Sequence, residues 1–136
     1  MANYKIDGIE GIGPVYAEKL IAAGIKDTDT LLESCAAPKG RKALAEQTGI
    51  SEKLILTWTN HADLFRVNGI GPQFAELLEE AGVDTVKELG HRVPANLAAK
   101  CAEVNEAKHI CGRTPSEKEI QKMVDEAKTL EGVMTY

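Results

Sequence analysis

The chain has 136 residues, room for one compact unit or two closely packed halves and no more. At 43% hydrophobic and 27% charged it reads as globular rather than disordered, and 4% aromatics argue against a β-sandwich or an RNA base-stacking sheet. The net charge of −5, from 16 basic and 21 acidic residues with both halves mildly acidic, counts against avid non-specific nucleic-acid binding through lysine and arginine.

Taken in chain order, Met1 to Lys5 carry no apolar stretch, so no signal peptide is expected and a cytoplasmic home follows. Apolar runs are only a few residues long, which excludes a membrane span. Ile9-Glu10-Gly11-Ile12-Gly13-Pro14 predicts a tight glycine turn between two helices, the second opening at Pro14, where the missing N–H costs nothing. That helix runs to about Ala23 and stops at Gly24, a left-handed cap. Asp27 or Thr28 caps a short helix anchored by Leu31 and Leu32, and Pro38 opens a third carrying Ala43 and Leu44. Ser51 caps a longer fourth, in which Leu54, Ile55, Trp58, Ala62 and Phe65 recur at helical spacing and make one buried face.

The order then begins again. Gly69-Ile70-Gly71-Pro72 opens a helix to about Ala81, Gly82 stops it, Asp84 or Thr85 caps the next, Pro94 opens another with Leu97 and Ala98, and Ser116 with Glu119 forms a capping box for the last. At an offset of 58, residues 11–31 and 69–89 share ten of 21 positions; at an offset of 65, Ser51-Glu52-Lys53 matches Ser116-Glu117-Lys118, and Ile55 and Ala62 match Ile120 and Ala127. The difference is seven residues inserted chiefly around Val104 to Pro115. Duplication of a helical unit is the simplest account, giving an all-α protein of eight to nine short helices, with repeats 1–64 and 65–136 related by a pseudo-twofold and packed as one compact unit.

Cys35, Cys101 and Cys111 lack CxxC spacing, and with His61, His91 and His109 scattered they read as free thiols rather than a metal site. Pairs such as Glu79-Glu80 and Asp125-Glu126 read as solvated helix faces, and no nucleophile stands beside a base and an orienting group, so no enzyme and no cofactor are expected.

The glycine turns carry the chemistry. Gly11, Gly13, Gly69 and Gly71 permit positive φ and close approach, while Ile12 and Ile70 face inward and pin the turns to the core. First-turn N–H groups have no intrahelical partner and the helix dipole adds partial positive charge, so such a terminus can receive a phosphate without side-chain charge. Pro14 and Pro72 each remove one donor, leaving the amides of Gly13, Val15 and Tyr16 and of Gly71, Gln73 and Phe74. Two such hairpins could hold both strands of a duplex across the minor groove. Lys19 is the basic residue of the first post-hairpin helix, and Lys39, Arg41 and Lys42 form the densest basic cluster, near a helix start. Tyr16, Phe74 and Trp58 read as core rather than as stacking platforms.

The segments Ile9–Leu20, Pro38–Lys42 through Gly49–Leu54, Gly69–Leu89 and Asn96–Asn105 resemble the helix-hairpin-helix superfamily, and the chain from Ile6 to Leu130 looks like an uncharacterised bacterial family of tandem helix-hairpin-helix proteins. The resemblance implies an all-helical fold similar to domains of DNA ligases, excision nucleases and repair polymerases. Those bind double-stranded DNA independently of sequence, and some relatives hold a monovalent cation on hairpin carbonyls. Relatives that grip DNA place Lys, Arg, Ser or Thr just after the second glycine; here Val15-Tyr16 and Gln73-Phe74 stand there, and Glu76, Glu79 and Glu80 follow the second hairpin. Two functions therefore compete: a sequence-independent DNA-binding module, and a protein-interaction or scaffolding module in which the hairpins are only turns.

Overall fold

A computed structural model of the chain describes residues 3–136. Among them there are eight α-helices and no strand, only an isolated bridge between Lys5 and Asp27. The chain is all-α. It divides into one compact unit of Asn3–Asp63 with Val133–Tyr136, and another of Leu64–Gly132.

The first unit opens on a three-residue 3-10 turn, Ile6–Gly8, then α1 (Pro14–Ala22), α2 (Thr28–Cys35), α3 (Pro38–Thr48) and α4 (Glu52–Leu64). A full helix was expected ahead of the first glycine turn, and the chain is too committed elsewhere to form one. Ile6 N–H donates to the Lys26 carbonyl at 3.1 Å, and Thr28 N–H to the Tyr4 carbonyl at 2.9 Å. Tyr4 and Ile6 are thus tied to the α1–α2 connection. The Asp27 carboxylate accepts from Thr30 N–H at 2.8 Å and caps α2, and Ser51 Oγ accepts from Leu54 N–H at 3.2 Å at the start of α4. Ile9, Ile12, Leu20, Leu31, Leu44, Ile55 and Trp58 close the core. Gly40 lets α3 lie against the end of α2: a Cβ there would come within 1.7 Å of the Ser34 carbonyl oxygen.

The second unit holds α5 (Pro72–Glu80), α6 (Val86–Gly90), α7 (Pro94–Lys108) and α8 (Glu117–Thr129). Thr85 Oγ1 accepts from Glu88 N–H at 3.3 Å, and Ser116 and Glu119 complete a capping box on α8. The α7–α8 connection is held by Asn105, whose side chain accepts from Cys111 N–H at 2.8 Å and donates to its carbonyl at 3.0 Å. His109 ends α7 at φ +52, a left-handed residue where glycine is more usual. The core is built of Phe65, Val67, Ile70, Leu77, Leu78, Val83, Leu89, Leu97, Ile120 and Val124.

Candidate nucleic-acid interface

The two glycine turns share one backbone. Gly11 and Gly69 sit at φ +92 and +90, where an L side chain is strained. Ile12 N–H donates to the Ile9 carbonyl at 3.2 Å and Ile70 N–H to the Val67 carbonyl at 3.2 Å. Both isoleucines are buried. Gly13 and Gly71 are the N-caps of α1 and α5, extended in both cases (φ −84 and −102), and no side chain caps either helix. The first α-helical bonds come from Ala17 N–H to the Gly13 carbonyl and Ala75 N–H to the Gly71 carbonyl, each at 2.9 Å. The amides of Val15 and Tyr16, and of Gln73 and Phe74, belong to the first turn and have no carbonyl partner within the helix. At the far ends, Gly24 and Gly82 take φ +90 and +94.

What surrounds the turns differs. At the first, Gly11, Gly13, Val15 and Lys19 are exposed, and a Cβ on Gly13 would meet no heavy atom within 4 Å. Behind Gly11 lies Trp58, its indole Nε1 the nearest atom, 3.7 Å from where a Cβ would stand. Tyr16 is half-buried with its ring 5.2 Å from that indole, so it serves the core. Among the described residues no hydrogen bond reaches the Glu10 amide.

At the second turn the amide equivalent to that of Glu10, Asn68 N–H, donates to both carboxylate oxygens of Glu126 at 3.2 Å. Glu126 was expected on a solvated helix face; it is half-buried and seated at the hairpin. The methyl of Met123 stands 3.5 Å from a Cβ on Gly69, where the first turn has the indole. Phe74 is half-buried beneath the Arg113 guanidinium, 5.8 Å from the ring centroid. Arg113 also pairs with Glu119 through two bonds of 2.7 Å, which together with the Ser116 amide holds the Glu119 carboxyl down at about 2. Gln73 is exposed, and Glu80 pairs with Lys108.

The predicted basic cluster does not hold together. Lys39 and Lys42 are exposed on α3, but Arg41 is 5% exposed and turned inward. Its guanidinium donates to the carbonyls of Cys35 at 2.9 Å, Ala36 at 3.0 Å and Thr135 at 2.8 Å, and lies over the Tyr136 ring. Arg41 is therefore a clamp joining the end of α2 to residues 135 and 136, and its donors face protein carbonyls rather than solvent. It leaves the set of phosphate-binding candidates.

Arg113 and Glu126 are the site residues that sequence reasoning missed. The seven-residue insertion was the signal for Arg113; for Glu126 it was its place opposite His61 in the second aligned block. The three cysteines are buried and unbridged, and burial pushes the thiols of Cys35 and Cys101 up to about 11. Among the described residues no group of three His, Cys, Asp or Glu is placed to hold a metal ion, and no helix is long and apolar enough to cross a membrane.

The chain belongs to the family described as "Domain of unknown function (DUF4332)", whose sequence profile matches residues 10–130. Neither a curated protein nor a solved structure matches it.

Proposed function

We propose that this member of the family is a non-enzymatic, cytoplasmic binding module of the helix-hairpin-helix kind, duplicated, which touches the phosphate backbone of double-stranded DNA chiefly through its first hairpin. The observation that carries the reading is the open start of α1: an exposed, uncapped glycine corner with nothing standing in front of Gly13. The amides of Gly13, Val15 and Tyr16, with Lys19 exposed on the same helix, supply donors and one positive charge to a phosphate. Such contacts position a protein on a duplex and read no bases. The second hairpin contributes less, because Glu126 occupies its leading amide and its carboxylate repels a phosphate.

One observation favours a protein partner instead. Val15, in the first turn of α1, and Ile21, near its far end, leave 66% and 55% of their surface in solvent. Duplex titration separates the two readings. With about one phosphate neutralised, affinity falls roughly three- to fourfold between ~50 and ~200 mM monovalent salt. Lys19→Gln flattens that dependence, and Gln73→Glu beside the second hairpin leaves it nearly unchanged. No duplex binding at ~50 mM salt sinks the nucleic-acid reading and leaves the protein partner.

A further inference from the structure

In the second unit, α6, α8 and the residues just after α8 border an open pocket of 180 Å³ whose basic lining is Lys87, His91 and Lys128, all three exposed, with no carboxylate in the wall. In a chain with more acidic than basic residues, a wall whose ionisable groups are all basic is a biased composition. Gly90 and Gly132 also line it. Gly90 faces α8, and a Cβ there would lie in ordinary contact, 3.5 Å from Lys128 Cγ and its backbone nitrogen. Gly132 keeps the space open: a Cβ there would stand 3.7 Å from Lys87 Cβ and Cδ, an ordinary contact.

Lysines near helix C-termini often serve only to satisfy the last carbonyls and the dipole. Here the Glu88, Leu89 and Ala127 carbonyls already accept from the amides of His91 at 3.1 Å, Arg92 at 3.1 Å and Leu130 at 3.2 Å. Among the described residues, Lys87, His91 and Lys128 make no ion pair and no side-chain hydrogen bond. Two lysines and a histidine therefore border one hollow with their side-chain donors unspent. The space corresponds to roughly six waters, room for a tetrahedral oxyanion with part of its hydration.

We propose that this cavity is a binding site for a phosphate group, presented either as free inorganic phosphate or as a small phosphomonoester reaching in through the mouth. Lys87 and Lys128 donate charge-assisted hydrogen bonds to its oxygens, and His91 supplies a third donor. The site is separate from the glycine hairpins and stands whether or not the chain binds DNA.

The test is calorimetric titration of the full chain with inorganic phosphate, and separately with glycerol 3-phosphate, at ionic strength held constant with chloride. Saturable one-to-one binding of phosphate alone identifies the free ion as the ligand; tighter binding of glycerol 3-phosphate identifies a monoester. Gly132→Val fills the hollow without altering any charge and lowers affinity at least about tenfold, the loss of one charge-assisted bond. Lys87→Gln combined with Lys128→Gln does the same with the space intact, and serves if the valine variant fails to fold. No saturable heat with either anion, or binding that Gly132→Val leaves unchanged, overturns the site in favour of diffuse attraction to surface lysines.

Discussion

Gly13→Asp separates folding from binding, because the structure sends the two effects in opposite directions. Gly13 is the N-cap of α1 with extended backbone (φ −84, ψ −178), a conformation any residue adopts, and a Cβ there meets nothing within 4 Å. An aspartate carboxylate can accept from the first-turn amides and lies at the positive end of the dipole. Replacing glycine by aspartate at an N-cap then stabilises by a few tenths to about 1 kcal/mol. For a chain of 136 residues this is a rise in Tm of roughly 1–5 °C. The same carboxylate takes the space and donors proposed for a phosphate. Two like charges about 4 Å apart repel by ~1 kcal/mol even in bulk water and more near a protein surface, so duplex affinity drops about fivefold or more. Gly13→Ala is the companion: no cap, no charge, and a small loss of both. Thermal melts read the first effect, and fluorescence anisotropy on a labelled duplex of ~20 base pairs at ~50 mM salt reads the second. A variant that is stabilised yet binds duplex as the wild type does would remove the first hairpin from the interface; a destabilised one would mean the cap geometry of α1 is wrong.

Other expectations concern the frame around the hairpins. Arg41→Met strips three carbonyls of a buried charged donor, one of them the buried Cys35 carbonyl; with each such bond worth ~1.5–3 kcal/mol and partial re-solvation of Ala36 and Thr135, the loss is about 2–4 kcal/mol by urea denaturation. Duplex affinity of the folded variant stays the same, and a loss of affinity without loss of stability would return Arg41 to the interface. Gly40→Ala forces α2 and α3 apart, since its Cβ would fall 1.7 Å from the Ser34 oxygen, and costs about 2 kcal/mol or more in the same assay. Glu119 titrates in the folded state at about 2, below the ordinary 4.5, so its pairing with Arg113 stabilises above pH 4.5 and is lost as pH falls toward 2. The Tm difference between wild type and Glu119→Gln, constant from pH 5 to 7, shrinks across that window; a gap that persists at ~pH 2 would point to packing instead of charge.

The parts of the fold visible in the sequence are those fixed by neighbours along the chain. Pro14, Pro38, Pro72 and Pro94 open helices because each first turn wastes its N–H, and Asp27, Ser51, Thr85 and Ser116 cap within three residues of themselves. Gly11 and Gly69 show their need for positive φ through the Gly-Ile-Gly pattern. Long-range side-chain decisions were hidden. Nothing local to Arg41 says that its strongest remote partner is the Thr135 carbonyl, 94 residues away. Glu126 reads as surface until the fold brings it to Asn68, 58 residues upstream. Arg113 arrives over Phe74 because Asn105 ties down the connection at Cys111, a clamp with no pattern of its own. The missing helix before the first turn has the same origin, since its residues are bonded to positions 26 and 28.

The two corners also test one another. Their backbones agree in φ, in the Ile-to-apolar turn bond and in the first helical bond, so the difference between them lies in side chains. At the second corner the chain itself supplies an anion, and the carboxylate of Glu126 settles on an outward amide with both oxygens. The amide just ahead of the first glycine of such a corner therefore donates to a carboxylate, while the first-turn amides of Gln73 and Phe74 stay apart from that contact. At the first corner the aligned position holds His61, the residue behind the glycine is an indole with its Nε1 nearest the turn, and no carboxylate bonds the equivalent amide among the described residues. The first-turn amides share their backbone geometry at both corners, and with Glu126 standing at the Asn68 amide of the second, the first is the better placed to take an external anion. The exposed Glu10 and Glu18 beside the open corner work against it and keep the contact weak. That balance places the expected duplex binding at low salt and makes Lys19 and Gly13 the residues on which it turns.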